Sequence, residues 1–145
     1  MCSSDLAAKQ RPPNAYAAKF SQPYCIAAGL VLGHAGLEAF TEERVRDPRL
    51  LALAGKVGYE IDPHNPYPDE FTGHVRLVLS NGASVEERQA HFRGGAHEPL
   101  SRADLVEKFR LNCAHGGWPQ ERGEAFLAWV KSALSGPVDL AFLRR

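Results

Sequence analysis

Along the chain the hydrophobic period changes three times, and each change marks a different kind of element. Residues 1–17 carry no period. Lys9, Gln10, Arg11, Pro12, Pro13 and Asn14 discourage regular structure, and the residue before each proline is pushed toward extended geometry, so a loose lead-in is expected there. Residues 24–32 are then apolar almost without a break. Ser21 suits the N-cap of a helix over 22–32, Pro23 its first turn, and Gly33 its stop. A helix apolar on every side is expected to be buried on every side, so this reads as a central core helix. Thr41, with Glu42 and Glu43 behind it, predicts one short helix start, and Asp47-Pro48 predicts another that runs through Leu50, Leu51 and Leu53 to Gly55.

The period then falls to two. Val57, Tyr59 and Ile61 alternate, as do Val75, Leu77 and Leu79, which predicts strands with one buried face. The segment from Asp62 to Pro68 is a breaker-rich loop, and Asn81-Gly82 is a strong hairpin signal. The returning strand, near 84–92, has no clear apolar face. Helical spacing resumes after Ser101, where Ser101 and Asp104 approximate a capping box ahead of a Leu105, Phe109, Cys113 stripe. Gly116-Gly117 breaks the chain, and Pro119 can start a last helix bearing Phe126, Trp129, Val130 and Leu134 before Gly136-Pro137. Helices, a small antiparallel sheet and helices again make an α+β order.

Composition narrows the classes. The chain has 145 residues, 44% of them hydrophobic, a size that suits one domain with a real core. Seventeen basic residues balance seventeen acidic ones, which argues against a nucleic-acid or anionic-membrane binder. The longest apolar run, nine residues, is too short to span a bilayer, and the first six residues lack the build of a secretory signal. Cys2, Cys25 and Cys113 are too scattered for a disulfide framework or a zinc knuckle, so reduced thiols in a cytoplasmic protein are expected.

Candidate chemistry is sparse. The six histidines (His34, His64, His74, His91, His97 and His115) form no metal-binding spacing, so no metal is expected. Arg93-Gly94-Gly95 is either an anion-cradling nest or a plain strand-ending turn. Lys19, Ser21 and Tyr24 cluster at the start of the apolar helix. A carboxylate could be held there by Lys19, Ser21 and backbone N–H groups; alternatively Ser21 only caps, Lys19 is solvated and Tyr24 packs. Cys25, with no nearby histidine base, reads as a packing residue.

The run Ala18-Lys19-Phe20-Ser21-Gln22-Pro23-Tyr24, followed by Ala27-Ala28, resembles the AKFSxPY segment of the MmgE/PrpD family. That family includes 2-methylcitrate dehydratase, cis-aconitate decarboxylase and iminodisuccinate epimerase. The stretch from Phe40 to Pro48 is similar to its FTDERVRDP segment, and Asn81-Gly82, Arg93-Gly94, Pro99-Leu100-Ser101 and Lys108-Phe109 follow in family order. The resemblance, over about 10–143, implies the C-terminal part of a two-domain, cofactor-free enzyme. In that picture 1–17 lead into a lid-type α+β domain over 18–145, a small antiparallel sheet flanked by helices, and the C-terminal helices pack on a helical domain outside this chain. The family chemistry is proton abstraction beside a carboxylate, then loss of water or carbon dioxide or reprotonation, acting on di- or tricarboxylates such as 2-methylcitrate. The usual catalytic lysine and histidine lie upstream. The resemblance therefore implies no catalytic residue here, a substrate-carboxylate role for Lys19, Ser21 and Tyr24, and inactivity of the chain alone. The partners it implies are a small carboxylate and the helical domain or a second copy. The alternative from another class is a non-catalytic α+β domain for dimerisation or ligand binding.

Overall fold

The computed structural model describes residues 6–137 together with 140 and 141; Cys2 and the first residues of the expected lead-in lie outside them. The chain divides into two compact units, with the boundary in sequence between Ile61 and Asp62.

The first unit is helical. It begins with two short helices, α1 (Leu6–Gln10) and α2 (Ala15–Ala18), in the stretch expected to be loose. The prolines act as boundaries rather than breakers of the whole segment: Pro12 and Pro13 separate the two helices, and Asn14 caps α2 by accepting a hydrogen bond from the Ala17 N–H at 2.8 Å. Helix α3 (Gln22–Leu32) follows the sequence signals at both ends. Ser21 accepts from the Tyr24 N–H, and Gly33 takes the left-handed φ of 78° that a side chain would resist. Two 3-10 turns, Leu37–Phe40 and Arg44–Arg46, lead to α4 (Pro48–Ala54). The Thr41 hydroxyl accepts from the Arg44 N–H at 3.2 Å, so the expected helix start is a single 3-10 turn. Asp47 caps α4 through the Arg49 N–H.

The core of this unit is Ala18, Tyr24, Ala28, Ala39, Val45 and Leu50, with Ala15, Leu32 and Phe40 packed against it. Helix α3 is not buried on every side. Pro23, Tyr24, Ala27 and Ala28 form its covered face, while Gly29, Leu30 and Val31 are exposed. Tyr24 packs inward together with the small Ala27 and Ala28, and Leu30 and Val31 lie on the exposed side.

Residues 57–72, on both sides of the boundary between the units, are irregular, so the expected strand at Val57, Tyr59 and Ile61 does not form. Alternation alone cannot make a strand without a partner edge to pair with. Among the described residues the second unit has one antiparallel pair, β1 (Gly73–Val78) and β2 (Ser84–Gln89), in the register Gly73↔Gln89 to Val78↔Ser84. Its turn has three residues: the Leu79 N–H donates to the Ala83 carbonyl, the Gly82 N–H to the Leu79 carbonyl, and Gly82 sits at φ 83°. Val75 and Leu77 are half-buried and β2 is wholly exposed, as its poor patterning implied.

Helices α5 (Arg102–His115) and α6 (Gln120–Ala133) complete the unit. Ser101 and Asp104 form a full capping box. Phe109 stacks on Phe126 with ring centroids 5.4 Å apart, Cys113 lies against Gly123, and Arg110 makes two hydrogen bonds to the Glu124 carboxylate. Gly123 is the one buried residue of the two helices, and Leu134, expected on the apolar face of α6, is exposed. The order of helices, a small antiparallel sheet and helices is that of an α+β protein.

Candidate functional site

Lys19, Ser21 and Tyr24 all lie between the end of α2 and the first turn of α3, because the chain reverses there on backbone bonds. The Lys19 N–H donates to the Tyr16 carbonyl, Phe20 to Ala17, and Ser21 to Ala18. Lys19 follows the last residue of α2 and is exposed. Ser21 is buried. Its hydroxyl accepts from the Tyr24 N–H at 3.0 Å and donates to the Lys9 carbonyl. The Tyr24 ring is fully buried against Phe40, and its hydroxyl donates to the Ala39 carbonyl at 2.7 Å.

These contacts divide the labour. Ser21 ties α3 back to α1, Tyr24 ties it to the first 3-10 turn, and Lys19 is exposed at the end of α2. Both hydroxyls are held inside the protein, so Lys19 presents the cationic group of the cluster to solvent. Burial raises the Tyr24 hydroxyl pKa, with the nearby Asp47 charge adding to the effect, which keeps the phenol protonated and able to donate. Asp47 itself is held down to about 2 by hydrogen bonds from the Arg49 side chain and backbone. The carbonyls of Lys9 and Ala39 complete the arrangement. Sequence reasoning had no signal for them, since every residue carries a carbonyl and only the fold selects which one is met.

The remaining candidates resolve differently. Cys25 is half-buried with its sulfur 3.8 Å from the Ala18 carbonyl, and burial pushes its thiol pKa up, away from the thiolate that a nucleophile needs. The Arg93-Gly94-Gly95 segment is a turn: the Gly94 N–H donates to the Glu98 carbonyl and the Gly95 N–H to the Phe92 carbonyl. With both N–H groups satisfied internally, there is no nest to cradle an anion. His34, His74 and His91 each face a glutamate, namely Glu38, Glu86 and Glu70. Among the described residues no group of three or more histidine, cysteine or acidic side chains is placed to hold a metal ion. Nor is any described helix long and apolar enough to cross a membrane.

Fold and site together describe a small α+β module that positions one surface lysine beside a capped helix start. By its sequence the chain belongs to the MmgE/PrpD family, whose C-terminal domain profile matches residues 3–130. Among curated proteins it is similar to the cis-aconitate decarboxylases of Mus musculus and Homo sapiens. Each is 32% identical over 104 residues, which cover 71% of this chain and 21% and 22% of those proteins respectively. The match thus spans about a fifth of the length of these relatives.

Proposed function

We propose that this chain supplies the C-terminal part of an MmgE/PrpD-type lyase or isomerase acting on a small di- or tricarboxylate. The observation that carries the reading is the family match over residues 3–130. The likeness to cis-aconitate decarboxylases puts cis-aconitate first among substrates to test, ahead of 2-methylcitrate. In such a decarboxylation the bond from carbon to one carboxylate breaks, carbon dioxide leaves, and the electron pair left on carbon takes up a proton. The step needs a positioned acid–base group and donors for the developing charge. We assign neither to these 145 residues, so the chain alone is inactive and a helical domain, or a partner chain carrying one, completes the site.

Within that site Lys19 meets a substrate carboxylate as a point charge with three donors. Ser21 and Tyr24 belong to the same binding cluster, their hydroxyls fixing the first turn of α3 through Lys9 and Ala39. The internal engagement of those hydroxyls favours a second reading, in which the chain is a non-catalytic ligand-binding or dimerisation domain. One experiment separates the two. The chain is assayed with cis-aconitate alone and mixed with the N-terminal portion of a family decarboxylase. Activity only in the mixture, with Lys19→Ala raising KM more than it lowers kcat, supports the enzyme reading. Turnover by the chain alone that Lys19→Ala abolishes overturns the assignment of the chemistry to another domain. A mixture that forms a complex but stays inactive supports the second reading.

A further inference from the structure

Apart from the Lys19 cluster, the first unit carries a small open groove of about 330 Å³, lined by Ala8, Lys9, Pro12, Pro13, Tyr16, Ala17 and Phe20. Three independent features meet there. Tyr16 and Phe20 are 71% and 60% exposed, yet they pack edge to face with ring centroids 5.3 Å apart, so they stand as an ordered pair of aromatic anchors. The frame around them is fixed: Pro12 is buried, Asn14 caps α2, and the Lys9 carbonyl is held by the Ser21 hydroxyl. Lys9 lines the groove, and Arg11 and Lys19 neighbour its lining residues in sequence. From residue 6 to residue 37 the sequence holds Lys9, Arg11 and Lys19 and no Asp or Glu. Among the described residues none of these three cations is ion-paired. Glu42, which accepts from the Ala15 N–H at 2.9 Å, is itself paired with Arg46.

We infer that this groove docks an acidic protein segment, one bulky apolar side chain seated between Tyr16 and the two prolines with flanking carboxylates facing Lys9 and Arg11. The volume suits one or two side chains rather than a long helix. Exposed aromatic residues are enriched at binding hot spots. Charge complementarity selects an acidic segment over a basic one and accelerates its encounter.

The test uses fluorescence anisotropy on the full chain with labelled peptides of about 12 residues, a length typical of groove-bound segments. The panel places a single Leu or Phe in an Asp/Glu background, with matched peptides carrying Lys for the acids or Ser for the anchor. Anchored acidic peptides are expected to bind at least about tenfold more tightly than either matched control, with affinity falling as salt rises. Tyr16→Ala and Phe20→Ala each weaken binding by about tenfold or more, and Lys9→Glu and Arg11→Glu each flatten the salt dependence. Because Tyr16 and Phe20 are surface residues, the far-UV melting curve of their variants stays unchanged, which separates lost binding from lost folding. Equal binding of acidic and basic peptides, absence of binding up to about 1 mM, or a Tyr16→Ala variant with wild-type affinity would each overturn the proposal. None of these readouts depends on the chain's enzymatic role.

Discussion

The two units belong to one chain, but they are stabilised in different ways. Among the described residues the largest fully buried side chains, Tyr24 and Leu50, lie before Ile61. The second unit is held by local devices, namely the capping box at Ser101, the Arg110–Glu124 pair, the Arg76–Glu86 pair across the strands, and a run of ring contacts from Phe109 through Phe126 to Trp129. It leaves Tyr67, Phe71, Val85, Phe92 and Leu111 in solvent. A lone two-stranded hairpin is marginal by itself. Closure separates them: the first unit surrounds its core, and among the described residues the second displays much of its apolar surface.

The largest expected effects come from breaking the closed core. Leu50→Ala removes a fully buried side chain and should cost about 2–5 kcal/mol. Leu111→Ala, at 52% exposure, should change stability by no more than about 0.5 kcal/mol. Urea titration followed by circular dichroism checks both, and comparable losses at the two sites would show that the second unit has a core of its own. Next in size is Tyr24→Phe, which leaves the buried Ala39 carbonyl without its donor and should cost about 1–3 kcal/mol.

The helix caps sharpen the contrast. Ser21→Ala and Ser101→Ala each remove an N-cap, for about 0.5–2 kcal/mol. Ser21→Ala should fall at the upper end because its hydroxyl also donates to Lys9. Hydrogen exchange should register it across α1 and α3 together, whereas the effect of Ser101→Ala stays within α5.

The smallest expected effect is electrostatic. Asp47 is lowered from 3.8 to about 2 by Arg49, so the folded state gains stability above pH 3.8 and loses it as pH falls through about 2. Asp47→Asn should flatten the acid limb of the far-UV signal in that window. Glu124 is shifted in the same direction by Arg110, and Trp118 and Trp129 lie in its unit. Their fluorescence should therefore follow Glu124→Gln and ignore Asp47→Asn; a tryptophan response to Asp47→Asn would mean that the two units unfold as one.

The element ends were legible in the sequence because caps and stops are local chemistry. Ser21, Asp47 and Ser101 accept from N–H groups two or three residues on, Gly33 takes a φ that glycine tolerates, and Gly82 does the same in the hairpin turn. The family, too, was readable from ordered short segments. What only the tertiary structure decided depends on partners distant in the chain. Nothing between Val57 and Ile61 says that no strand edge will be offered to them, so alternation there became irregular chain. A uniformly apolar helix gives no clue to which side will be covered, and the face of Tyr24, Ala27 and Ala28 went inward while Leu30 and Val31 stayed out. For the candidate site, the positions of Lys19, Ser21 and Tyr24 could be read from the sequence. The fold alone chose the carbonyls of Lys9 and Ala39 as partners for the two hydroxyls, because a backbone carbonyl has the same chemistry at every residue and only packing brings one within reach.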